Sequence, residues 1–158
     1  MNILYYSPSN NIGGAELSLI ETIIQAKKSN HMVTLVVNSD YKKDSLFIKK
    51  VSGFCKNIYY VRTMPWYVST KFTGIKKIIN RFYNLYMSGF YIIPVIKISN
   101  IIRRNNIDLV HTNTIMSIEP AIATKICRIP HVQHIRETIG NKKKFHCSAS
   151  TSKVPNNT

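Results

Sequence analysis

The chain of 158 residues has few acidic residues and few cysteines. Its 7 Asp and Glu against 22 Lys and Arg give a formal net charge of +15. Such an excess of positive charge favours acidic partners, namely nucleic acid, anionic lipid or a phosphorylated substrate. The three cysteines, Cys55, Cys127 and Cys147, are odd in number and form no Cys-X-X-Cys pair. A disulfide framework is therefore disfavoured, and we expect a reducing, cytoplasmic location.

Several recognisable segments and motifs are also missing. No basic stretch followed by a long apolar core stands at the N-terminus, so we expect no signal peptide. Polar and helix-breaking residues interrupt the longest apolar region, so we expect no membrane-spanning helix. The paired glycines fit neither Gly-X-Gly-X-X-Gly nor a Walker loop. Because His111, His131 and His134 lack a matching set of carboxylates or cysteines, we expect no metal site.

What the chain does contain is an alternation of short apolar runs and segments of helical periodicity. Strands are predicted at Ile3–Tyr6, Met32–Val37, Ile58–Val61, Leu109–Thr112 and Val132–Ile135. Helices are predicted at Ala15–Lys28, Asp44–Val51, Ile75–Arg104 (with a break near Pro94) and Ile115–Cys127. This alternation is typical of an α/β domain with a doubly wound parallel sheet, the Rossmann-like arrangement. Right-handed crossovers favour the strand order 3-2-1-4-5.

The domain organisation follows from where this alternation stops. Residues 1–140 form one predicted domain, a length that buries about two-thirds of the surface of the unfolded chain. After Glu137 the periodicity is lost, and three lysines are followed by a stretch of Ser, Thr, Asn and Pro. Such a composition offers little apolar surface to bury, so residues 141–158 are predicted to be a weakly ordered polar tail.

A candidate ligand site follows from the expected topology. Doubly wound sheets bind ligands at the carboxyl ends of their strands, where the strand order reverses. Here that point lies between the first and fourth predicted strands. Gly13 and Gly14 follow the first strand and open a helix whose free N–H groups suit a diphosphate. A plain strand-to-helix turn is the alternative for the glycines, and stabilisation of the helix dipole is the alternative for Glu16.

Polar side chains also follow the fourth and fifth predicted strands. Asn113 comes after the fourth strand, and His134, Arg136 and Glu137 lie at the end of the fifth. A histidine there can donate or accept a hydrogen bond near neutral pH, and a guanidinium suits phosphate or carboxylate. We therefore place all four residues in the predicted cleft. The alternative is that His134 is a structural histidine with satisfied hydrogen bonds and that Arg136 and Glu137 form a surface ion pair. His111 is expected to have a structural role within the sheet.

An aromatic and apolar stretch, Phe82–Ile93, lies between basic residues at Arg81, Lys97, Arg103 and Arg104. One interpretation is an amphipathic helix that touches an anionic membrane surface. The other is a core helix whose long basic side chains reach solvent at its ends. Peripheral attachment at the inner membrane face, through Arg81–Arg104, is therefore a prediction to test.

Taken together, these segments resemble the N-terminal domain of family-4 glycosyltransferases, which have the GT-B fold. The similarity runs from Met1 to about Glu137. The segments that carry it are Asn2–Tyr6, Gly13-Gly14-Ala15-Glu16, His31–Asp40, Asp108–Asn113 and Ile129–Glu137. Gly-Gly-Ala-Glu and the two late histidine segments are fairly specific together, although each is weak alone.

The resemblance implies an activity and assigns roles to residues. It implies retaining transfer of a sugar from a nucleotide-sugar donor to a glycan or lipid-linked acceptor, as in polysaccharide biosynthesis, without a separate cofactor. This half of the enzyme would hold the acceptor. Gly13 and Gly14 would approach the donor diphosphate, and His134, the candidate catalytic residue, would lie near the donor sugar. Glu16 matches the acid at the start of the first helix and is assigned to the cleft.

The chain departs from the family in one respect. Family members carry a second, nucleotide-binding domain with two glutamates eight positions apart, a spacing that no two of the glutamates here have. We therefore expect the donor-binding domain to be absent and the chain to be inactive alone. One alternative is a non-catalytic subunit that binds the acceptor or recruits the membrane beside a donor-binding partner chain. A basic nucleic-acid-binding module is the other, and only charge supports it.

Overall fold

The computed structural model describes residues 1–9, 11–40, 45–63, 67–68, 92–114, 117–135 and 146–147. The strands are β1 (Asn2–Ser7), β2 (Met32–Val37), β3 (Asn57–Tyr60), β4 (Tyr67–Val68), β5 (Leu109–Thr112), β6 (His131–Gln133) and β7 (His146–Cys147). The helices are α1 (Gly14–Lys28), α2 (Leu46–Val51), α3 (residues 92–104) and α4 (Glu119–Cys127).

Five of the strands form one parallel sheet in the order β3-β2-β1-β5-β6. Counted along the chain, this is the predicted order 3-2-1-4-5, so the fold class is confirmed. The central strand β1 pairs with β2 on one side and with β5 on the other. The strand order therefore reverses between β1 and β5, and the carboxyl ends of these two strands mark the expected crevice.

The two faces of the sheet carry separate cores. Because strand side chains alternate, β1 directs Ile3 and Tyr5 to one face and Leu4 and Tyr6 to the other. On the first face they pack against α1 and α2. On the second face they pack against buried residues of α3 and α4. Helices thus cover both faces, which is the doubly wound arrangement.

Two element boundaries near the site differ from the predicted ones by two residues or more. Helix α4 begins at Glu119 instead of Ile115, and Pro120 lies in its first turn, where a fixed φ and a missing N–H are tolerated. Strand β6 ends at Gln133 instead of Ile135, at the edge of the sheet. His134 consequently lies just beyond the end of β6.

Helix α3 corresponds to the end of the predicted helix Ile75–Arg104, whose residues 75–91 lie outside the described residues. Pro94 lies within the helix, so the predicted break does not fall between residues 92 and 104. One side of α3 buries Val95, Ile98 and Ile102 against the sheet. The described part of the chain contains no helix that is long and apolar enough to cross a membrane.

The hydroxyl of Tyr6 ties two loops to the central strand. It lies 2.6 Å from Thr63 Oγ1, in the segment after β3, and 2.8 Å from Ser117 Oγ, just before α4. Asn38 adds a bond from its Nδ2 to the Thr63 carbonyl at 3.0 Å. These buried bonds hold the loops at the carboxyl edge of the sheet, on the face that α3 and α4 cover.

The structure describes only a small part of the predicted tail. Two residues of the predicted tail form β7, which pairs antiparallel with β4. The remainder of residues 141–158 lies outside the described residues. The weakly ordered tail therefore stays a prediction.

Candidate functional site

The site is built at the carboxyl edge of the sheet, around the start of α1. The first hydrogen bond of α1 runs from the Leu17 N–H to the Gly13 carbonyl at 3.0 Å. The N–H groups of Gly14, Ala15 and Glu16 precede this bond and have no acceptor within the helix. Together with the helix dipole, they form a site that favours an anion.

Gly13 and Glu16 are hydrogen-bonded to each other at the start of the helix. Gly13 is the N-cap residue, and its N–H donates to Glu16 Oε2 at 3.2 Å. Its φ of −125° and ψ of −175° are extended values that any residue adopts, so conformation does not require glycine there. The carboxylate of Glu16 therefore caps the first turn in this structure. Its predicted place in the cleft stays a prediction.

Gly14 is exposed, and a Cβ built on it meets no atom within 4 Å. Nothing in the described part of the protein therefore requires a glycine at this position. What glycine provides is open space at its own Cβ position, beside the N–H groups that precede the first helical bond. This geometry fits close approach of a ligand, although an ordinary helix start would also tolerate it.

Asn113 lies directly after β5 and is 3% exposed. Its backbone N–H donates to the Tyr6 carbonyl at 3.1 Å, and its Nδ2 donates to the Ala15 carbonyl at 3.0 Å. The end of β5 is therefore joined both to β1 and to the first turn of α1. The sequence predicted Asn113 in the cleft. The structure places it beneath the loop between β1 and α1, where it is buried.

His134 is brought to the same edge by a backbone bond. Its N–H donates to the Thr112 carbonyl at 2.8 Å, which places it next to the end of β5. Its ring is stacked on the ring of His111, with centroids 5.9 Å apart and an angle of 18° between the planes. His111 lies inside β5, where its ring and the ring of Tyr5 pack at 69° to each other with centroids 5.3 Å apart. His134 is exposed and His111 is half-buried, so His134 is the outer residue of the stacked pair.

A second histidine contact was not anticipated from the sequence. His131 Nε2 lies 2.8 Å from Thr112 Oγ1, and partial burial lowers the pKa of His131. A lowered pKa keeps the ring neutral at neutral pH, which suits a structural bond more than anion binding. Gln133 Nε2 similarly donates to the Thr114 carbonyl at 3.0 Å. The alternation of β6 could have indicated this, because His131 and Gln133 share a face and lie opposite Val110 and Thr112.

Other predicted site residues and chemistries can be placed only in part. Arg136 and Glu137 lie outside the described residues. Within the described ranges, no group of three or more His, Cys, Asp or Glu side chains could hold a metal ion. Burial raises the pKa of the Cys55 thiol to about 12, so this cysteine stays protonated and is a poor nucleophile.

Comparison with known proteins gives a structural likeness alone. No family model and no curated protein matches the sequence. A glycosyltransferase from Rickettsia africae ESF-5 is similar in structure, with a TM-score of 0.52 and 20% identity over 89% of this chain. This chain has the same fold as part of that glycosyltransferase. CalG4, the calicheamicin glycosyltransferase, gives a TM-score of 0.49 and 15% identity over 89% of this chain. The chain spans 31% and 34% of the lengths of these two proteins.

Proposed function

We propose that this chain is the acceptor-holding half of a retaining glycosyltransferase that takes its sugar from a nucleotide-sugar donor. The observation that carries the proposal is the start of α1, where free N–H groups and an open space at Gly14 lie at the reversal point of the sheet. The likeness in fold to a glycosyltransferase supports it. The N-terminal family-4 type, the retaining course and a glycan or lipid-linked acceptor rest on the resemblance of the sequence motifs.

The free N–H groups decide which residues would meet the donor diphosphate. The Gly13 N–H is already bonded to Glu16, so Gly14 and Ala15 carry the next N–H groups along the chain, which have no acceptor within the helix. A helix N-terminus contributes about 0.3–1 kcal/mol to a nearby anion at an exposed site. Such a contribution is too small for tight binding alone. The proposal therefore includes a donor-binding domain across the cleft, supplied by a partner chain or by further residues.

His134 would serve the sugar end of the same donor. Its exposed ring rests on His111 and is held beside β5 by its own backbone N–H. A ring fixed in this way can hold a sugar hydroxyl or share developing charge at little cost of reorganisation. Arg136 and Glu137 are proposed to complete the acceptor side of the cleft, next in the chain.

The anion site can be tested on the chain itself. Inorganic pyrophosphate and UDP are added to the ¹⁵N-labelled chain, and the amide shifts are followed by NMR. We expect saturable shifts of the Gly14 and Ala15 amides, because their N–H groups would bond the phosphates. Gly53, another exposed glycine with no atom near its Cβ position, is the control and should not shift. Equal shifts at Gly53, or none at Gly14, would contradict the proposed site.

One specific observation favours peripheral attachment to an anionic membrane as a second property. The start of α3 exposes three isoleucines, Ile92 at 59%, Ile93 at 53% and Ile96 at 53%. The basic residues Lys97, Arg103 and Arg104 are exposed on the same side of the helix, by its period of 3.6. An apolar patch beside basic residues fits the boundary between lipid headgroups and acyl chains.

Attachment through α3 predicts a dependence on both lipid charge and particular arginines. Each basic residue near an anionic surface contributes about 1 kcal/mol. Replacing Arg103 and Arg104 together by Gln should therefore weaken binding to anionic vesicles roughly thirtyfold in a sedimentation assay. Replacing Lys49 and Lys50 of α2 by Gln removes the same charge from the other face of the sheet and is the matched control. Equal weakening in both double variants would leave only non-specific charge attraction.

A further inference from the structure

Asn113 holds both ends of the loop that connects β1 to α1. Its backbone N–H bonds the carbonyl of Tyr6 near the end of β1, and its side chain bonds the carbonyl of Ala15 in the first turn of α1. For the described residues 8–9 and 11–16, the bond to Asn113 is the one hydrogen bond that reaches beyond β1, the loop and α1. The start of α1 is thus positioned from β5.

The bond to Ala15 fixes the orientation of a whole peptide group and not only of the carbonyl that accepts the bond. The peptide group that joins Ala15 to Glu16 is planar and trans, so its C=O and N–H point in opposite directions. Holding the Ala15 carbonyl therefore fixes the direction of the Glu16 N–H. That group is one of the three N–H groups ahead of the first helical bond, and the neighbouring peptides follow from the helical geometry.

The second amide atom of Asn113 shows that stability alone does not account for this residue. Its Oδ1 is buried and has no hydrogen-bond partner among the described residues. A buried acceptor without a partner costs roughly 1–3 kcal/mol, which offsets the gain from the Nδ2 bond. Leucine has nearly the same shape and would avoid this cost. The donor Nδ2 is what leucine could not provide.

We propose that Asn113 is a positioning residue. It orients the N–H groups at the start of α1 toward the phosphates of the donor. This inference rests on the proposed function. Asn113 does not touch the ligand, because its amide is buried beneath the first turn. It acts through Ala15, and it couples the anion site to the sheet at the point where the strand order reverses.

The experiment compares Asn113→Leu with Asn38→Leu in the full chain. Asn38 is also a buried asparagine at the carboxyl edge, but its Nδ2 donates to Thr63, away from α1. Thermal midpoints are measured, together with the Kd for inorganic pyrophosphate from the Gly14 and Ala15 amide shifts. For Asn113→Leu we expect an unchanged or raised midpoint and a Kd weakened up to about fivefold, which is the whole contribution of an exposed helix N-terminus to a nearby anion. For Asn38→Leu we expect a lowered midpoint and an unchanged Kd.

The outcomes separate this inference from the proposed function. An unchanged Kd in Asn113→Leu, with pyrophosphate bound by the wild-type chain, overturns the positioning role and leaves the anion site standing. A Kd weakened equally in both variants also overturns it, since loss of any buried asparagine would then suffice. No saturable shift in the wild-type chain overturns the anion site itself and the inference with it. In Asn113→Asp a carboxylate oxygen faces the Ala15 carbonyl, so its Kd should be weaker still.

Discussion

Gly14→Val is expected to lower glycosyl transfer by on the order of a hundredfold while the chain stays folded. The Cβ position of Gly14 faces open space, so a Cβ there meets no atom of the described protein and we expect the valine variant to fold. It would instead occupy the space in which we place the donor diphosphate. Negative charge builds on that diphosphate as the sugar leaves, and only groups that meet this charge in the transition state raise the rate.

The measurement pairs turnover with the thermal midpoint, using the chain together with the proposed donor-binding domain. Gly53→Val is the matched control, since Gly53 is also exposed with open space at its Cβ position. Turnover of Gly53→Val should stay normal. Normal turnover of a folded Gly14→Val would show that the diphosphate does not bind at the start of α1.

His134→Ala is expected to lower turnover by a similar factor, also on the order of a hundredfold. The bond that holds residue 134 beside β5 is made by its backbone N–H, which alanine retains. His134 is exposed, so loss of its ring removes the proposed contact to the sugar and leaves the core intact. The midpoint should therefore change little.

His111→Ala tests whether the two stacked rings have different roles. His111 lies within β5, half-buried between Tyr5 and His134, so its removal should lower the thermal midpoint. Its direct effect on turnover should be smaller than that of His134→Ala. A large loss of turnover in His111→Ala with an unchanged midpoint would contradict this division of roles.

The sequence by itself determined the architecture, because architecture depends on local periodicity. The apolar runs Met32–Val37 and Leu109–Thr112 were predicted with the bounds that the structure has. The alternation of strands and helices, with right-handed crossovers, was enough to predict the sheet order. The approximate place of the site followed, since the reversal point depends on strand order alone.

Only the tertiary structure decided which side chains meet at that place. Asn113 and Ala15 are 98 residues apart, and Tyr6 and Ser117 are 111 apart. No local period relates residues at such separations, because their contact depends on strand register and on how the loops leave the sheet. The stacking of His134 on His111 likewise depends on the pairing of β5 with β6. Periodicity placed the glycines and His134 at one edge, whereas the packed sheet made Asn113 the residue that joins the end of β5 to β1 and to the first turn of α1.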